Sequence, residues 1–138
     1  MQRRILSVLL SIALVGVLPS TGAWAGSPHF VSLSVVRTDD SLTAFGKEAG
    51  LGNENQVHIV LTATALCINP GDNHPKAVNK ESVSAEGDFP VQNGKANFSL
   101  TLTATFQPDC TPPMTVAFTD VQVCDTTNSI CRSFQGTF

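Results

Sequence analysis

The chain has 138 residues, of which 42% are hydrophobic and 14% charged, with eight Lys and Arg against eleven Asp and Glu and a formal net charge of −3. The acids are scattered and no basic cluster exists, which argues against nucleic acid and anionic membrane as partners. The length suits one domain, and four cysteines point to a disulfide-stapled unit rather than a cytosolic one.

The first 25 residues read as a secretory signal peptide. Arg3 and Arg4 give a positive start, Ile5 to Leu18 an apolar run, and Ala23-Trp24-Ala25 a small-x-small cleavage site. A membrane-spanning helix needs about 20 apolar residues; this run is shorter and ends at Pro19-Ser20-Thr21-Gly22. No Cys follows the cleavage site, so no lipid anchor is expected. The expected product, residues 26–138, is an exported domain without a membrane span. Loss of Arg3 and Arg4 leaves six basic residues against eleven acidic ones, a net charge near −5. This domain has no Trp and no Tyr, which weakens a carbohydrate-binding platform.

Phe30 to Arg37 alternates Val31, Leu33 and Val35 with Ser32, Ser34 and Arg37, the period of a strand, expected at a sheet edge. Leu42 to Phe45 reads as a short continuation, and Gly46 to Asn53 as a glycine-rich turn. A phosphate cradle would need a helix after that turn, and a strand follows instead. Gln56 to Ile68 alternates over its whole length, with Val57, Ile59, Leu61, Ala63, Ala65 and Cys67 on one face. Residues 69–80, rich in Pro, Gly, Asn and Asp, read as the longest loop. Glu81 to Glu86 forms the next strand, and Phe89-Pro90-Val91 an edge piece, because proline cannot donate to a ladder. Asn93-Gly94 between extended runs is a hairpin signal.

Asn97 to Phe106 carries the cleanest alternation in the chain and is expected to be the central strand. Gln107 to Pro113 is a rigid loop. In Met114 to Val123 the apolar phase changes between Phe118 and Val121, which predicts a bulge near Thr119-Asp120. Ile130 to Phe138 is the last strand. The total is an all-β, immunoglobulin-like antiparallel β-sandwich of about seven strands.

Four cysteines allow three pairings. Cys67 and Cys110 each follow a Leu-Thr-Ala-Thr strand and should meet at one end of the domain; Cys124 and Cys131 flank a polar turn and should face each other across it. The expected bonds are Cys67–Cys110 and Cys124–Cys131. Neither pair has zinc-knuckle spacing.

His29, His58 and His74 sit in no recognisable pattern, no Gly-x-Ser-x-Gly elbow is present, and no nucleophile–base set stands out. The expectation is a protein that is not an enzyme and needs no cofactor. Asn69, Asp72 and Asn73, or Asp39 and Asp40, offer oxygens to calcium without EF-hand spacing. Asn97-Phe98-Ser99 matches a glycosylation sequon on an outward face. The C-terminal Phe138 lacks the aromatic girdles of an outer-membrane barrel.

Ala49 to Asn53, the two Leu-Thr-Ala-Thr runs, Cys67 to Gly71, Asn79-Lys80 and Pro112 to Val116 together resemble a group of small exported actinobacterial proteins. That resemblance implies fold and export, and no activity. More loosely, the size and the short Cys124–Cys131 hairpin are similar to the apoproteins of neocarzinostatin-type chromoproteins, which implies an apolar ligand in a cleft. The other cysteine pair is spaced differently from that family's, and no contact residue carries over. The expected function is surface interaction with a cell-envelope, protein or host partner. Carriage of a small apolar ligand and a pilus-like subunit completed by a donated strand are the alternatives.

Overall fold

The computed structural model describes residues 26–70 and 77–138. The expected signal peptide, and Asp72, Asn73 and His74 of the long loop, lie outside the described residues. Seven strands form two antiparallel sheets: β1 (His29–Thr38), β2 (Ser41–Ala49) and β5 (Ala96–Thr103) in the order β1-β2-β5, and β3 (Gln56–Ile68), β4 (Ala77–Pro90), β6 (Thr115–Asp125) and β7 (Ile130–Phe134) in the order β4-β3-β6-β7.

The alternation read from the sequence is what packs the two layers together. Val57, Ile59, Leu61, Ala63, Ala65 and Cys67 of β3 are buried, and so are Phe98, Leu100 and Leu102 of β5 and Leu42 and Ala44 of β2. Phe118, Val121 and Val123 of β6 complete this core. Phe98 meets Phe30 edge-on and Phe89 at a tilt, each with ring centroids 5.9 Å apart. Full burial of an aromatic of this kind is worth about 3 kcal/mol from area alone.

The bulge falls where the phase change put it. Thr62 pairs with Gln122 and Thr64 with Thr119, so Asp120 and Val121 together oppose Ala63. Asp120 has φ 52°, which turns the strand so that Val121 and Val123 return to the core. Both expected disulfides are present, Cys67–Cys110 and Cys124–Cys131.

Several local expectations are corrected. Leu42 to Phe45 does not continue β1; it belongs to β2, which turns back at Asp39 (φ 52°) and runs on to Ala49. Gly46 is therefore inside a strand. A Cβ there would collide with the Ser32 carbonyl oxygen and crowd the Phe98 ring, so this glycine serves close packing, not a turn. Residues Ala77 to Lys80 are strand rather than loop, and the Glu81 and Phe89 pieces are one strand, β4. Pro90 is accommodated because β4 is an edge and ends there. The Asn97 strand is also an edge, with β2 in the middle of its sheet. Asn93 and Gly94 do form a tight turn with φ 53° and 71°, closed by the Gln92–Lys95 bridge. It does not join a β4–β5 hairpin. It is the corner where the chain leaves one sheet for the other.

The outer edges differ in chemistry. β4 presents Lys80, Glu81, Glu86 and Asp88 along its length, whereas β1 presents Val31 and Val36 among serines.

Candidate functional site

The two layers meet at each end, and the end opposite Cys67 holds the only fully buried acids among the described residues, Glu48 and Asp125, both 0% exposed. Glu48 lies on β2 between Phe30 of β1 and Ala96 of β5. Asp125 closes β6 and starts the turn to β7. The inward phase of β2 that buries Leu42 and Ala44 carries on through Gly46 to Glu48, which places a carboxyl where the pattern asks for an apolar group.

Asp125 organises the hairpin tip. Its Oδ1 accepts the backbone N–H of Thr127 at 2.8 Å and of Asn128 at 3.2 Å, an Asx-type turn, and its Oδ2 accepts Asn128 Nδ2 at 2.6 Å. Asn128 Nδ2 also donates to Glu54 Oε2 at 3.0 Å, in the turn after β2. The tip is tied to β3 as well. The His58 carbonyl accepts Thr126 N–H, and His58 N–H donates to Thr127 Oγ1, both at 2.9 Å.

Neither Glu48 oxygen has a donor within reach, so a charged Glu48 would be a buried, unsatisfied anion. A proton resolves this: protonated Glu48 donates to Asp125. Burial first, then the hydrogen bond to Asp125 and the charges of Asp125 and Glu54, push Glu48 from 4.5 up to about 8. Glu48 therefore keeps its proton at neutral pH. Outside it lies an open hollow of about 600 Å³ between Gly26–Pro28 and Gly50–Glu54, with Glu54 and Asn128 on its wall. Gly50 (φ 76°) packs against the Ser27 carbonyl, leaving no room for a side chain.

A second cluster lies on the outer face of β3 and β4. His58 Nδ1 is 2.7 Å from Asp88 and Nε2 is 3.4 Å from Glu86. These hydrogen bonds, Asp88's first, raise the His58 pKa. His29 Nδ1 bonds the Ser27 carbonyl oxygen at 2.8 Å. No set of three or more His, Cys, Asp or Glu among the described residues is grouped to hold a metal ion.

The four cysteines are paired, and the Met114 sulfur lies 3.7 Å from Cys67 Sγ. Nearby, Arg37 donates to the carbonyl oxygens of Asp39 and Val116, linking β1 to the other sheet. Asp39 and Asp40 share with Arg37 and Cys110 the lining of an open hollow of about 490 Å³.

The outer face of the three-stranded sheet is a third region. In register across it stand Val36, Thr43 and Thr101, then Ser34, Phe45 and Ser99, then Ser32, Lys47 and Asn97. Thr43 and Thr101 hydroxyls are 2.7 Å apart, and those of Ser41 and Thr103 3.0 Å. Phe45, on the middle strand, is 44% exposed, and Val31 and Val36 more so.

Sequence reasoning missed these four acids and amides: Glu48, Asp125 and Asn128 read as turn residues, and Glu54 was assigned no role. A signal existed: Glu48 is in phase with Leu42 and Ala44, an acid at an inward position. Among the described residues no helix is long and apolar enough to cross a membrane. Compared with known proteins, the chain matches no family model, no curated protein and no solved structure.

Proposed function

We propose that this is an exported, non-catalytic, immunoglobulin-like domain that works by contact through the outer face of its three-stranded sheet, with a cell-envelope, protein or host component as partner. The observation that carries this reading is Phe45, a large apolar side chain half out in water at the centre of a sheet, with the small hydroxyls of Ser34 and Ser99 directly across from it on either side. Short Ser and Thr side chains leave the ring standing proud, and an aromatic anchor ringed by small polar groups suits a contact surface. The paired cysteines fit an oxidising compartment, which supports export. The buried carboxyls are enclosed, which favours a structural over a catalytic role for them.

The test is a pull-down from native cell-envelope extract with the oxidised domain and its Phe45→Ser variant. A partner that binds saturably to the first and at least tenfold less to the second supports the reading. Equal capture by both overturns it. The hollow beside Leu51 and Pro28 favours a second reading, a small-molecule carrier. A stoichiometric compound extracted from natively purified protein would establish that reading instead.

A further inference from the structure

We propose that Glu48 and Asp125 form a proton-held latch that fastens the β6–β7 hairpin tip to the three-stranded sheet, and that alkaline pH releases this end of the sandwich while the other end stays closed. The inference holds whatever the sheet face binds.

The geometry carries it. The two carboxyls come from different sheets, both are wholly buried, neither Glu48 oxygen finds a donor, and Asp125 is the side chain to which a protonated Glu48 donates. Their contact is attractive only while a proton lies between them; without it, two buried anions face each other in a medium that screens poorly. Nothing nearby can take over the proton's role. The residues paired with Glu48 across its own sheet are Phe30 and Ala96. On the opposing sheet, β3 points Val57 and Ile59 inward and His58 outward. The turn after β2 contributes Glu54, a further acid, and the hairpin tip contributes Thr127 and Asn128, whose N–H donors are already taken by Asp125 and Glu54. No Lys, Arg or His side chain makes an ion pair or hydrogen bond with either carboxyl among the described residues. Loss of the proton therefore leaves uncompensated charge, and the least costly relief is for Asp125 to move out with the tip it organises.

That movement has a defined consequence. Asn128 and Glu54 form one wall of the 600 Å³ hollow, and their mutual hydrogen bond is what ties the tip to the turn after β2. Release of the tip would open the hollow inward towards Glu48 and give it an acidic floor. At the far end, Cys67–Cys110 is covalent and indifferent to pH, so the release is local.

The experiment is backbone amide hydrogen exchange by NMR on the oxidised domain from pH 6 to pH 9.5, corrected for intrinsic exchange. The Thr127 and Asn128 amides, which donate to Asp125, are compared with Ala65 and Phe118 near the disulfide end. The expected result is that protection at Thr127 and Asn128 falls about tenfold per pH unit above the latch's release point, while Ala65 and Phe118 hold theirs. Glu48→Gln, whose amide can still donate to Asp125 but cannot ionise, should flatten the profile. Unchanged protection at the tip, equal loss at all four amides, or the same loss in Glu48→Gln each overturns the proposal. If the variant does not fold, the contrast between tip and far-end amides in the unaltered protein decides by itself.

Discussion

The two ends of this sandwich are closed by different chemistry. At one end Cys67–Cys110 joins the end of β3 to the loop before β6, and Arg37 crosses to the Val116 carbonyl. At the other, an uncharged carboxyl reaches across to Asp125, and the hairpin tip is held by hydrogen bonds to His58, Glu54 and Asp125. The first closure acts mainly by restricting the unfolded chain and does not depend on pH. The second depends on one proton. A fold of this size has a modest core, so each closure is a large share of its margin.

That contrast can be broken from the acid-base side first. Glu48 is raised from 4.5 to about 8, so below pH 4.5 its protonation favours neither state. Between those values the folded chain binds a proton that the unfolded chain has released, and stability falls as pH rises towards 8. The full effect is of the order of 5 kcal/mol, read as a decline in denaturation midpoint between pH 5 and pH 9 that Glu48→Gln abolishes. Opening the covalent end comes next. Replacing Cys67 and Cys110 with Ala should cost about 4 kcal/mol, against roughly 2.5 for the shorter Cys124–Cys131 loop, by the chain-entropy relation. Chemical denaturation at one pH would rank them, and the Cys67–Cys110 loss should not vary between pH 6 and pH 9.

Smaller effects sharpen the picture between the ends. Gly46→Ala pushes a methyl into the Ser32 carbonyl and the Phe98 ring; a loss of about 1–3 kcal/mol is expected from overpacking, seen in thermal melts. His58 is half-buried at the surface and its pKa is raised by Asp88 and Glu86. Its pairing helps below the ordinary histidine pKa and fades as pH rises through the folded value. His58→Gln should therefore move the melting temperature only slightly, and more at pH 5.5 than at pH 8.

Burial alternation made the layers legible: β3, β5 and the bulged β6 were readable because inward and outward residues differ in kind, and the pairing of the cysteines followed from where those strands end. Strand neighbours were not legible. Asn97 to Thr103 has the cleanest pattern yet sits at an edge, because period-2 burial reports which face is covered and says nothing of how many strands flank it. Gly46 misled because glycine marks close approach as well as turns. The acidic pair was hidden for a related reason: Glu48 and Asp125 are 77 positions apart and meet only across the sheets. Single-chain periodicity carries no record of a partner on the opposite layer.

The charges along β4 bear on how anything could assemble with this domain. A strand seeking to extend the larger sheet there would have to lie alongside Lys80, Glu81, Glu86 and Asp88 and would end against a proline that cannot donate. That border discourages uninvited β-augmentation and fibril growth, and it weighs against a donated-strand subunit at this side. The flat of the smaller sheet carries no such border: there hydroxyl-bearing side chains and the Phe45 ring meet the solvent.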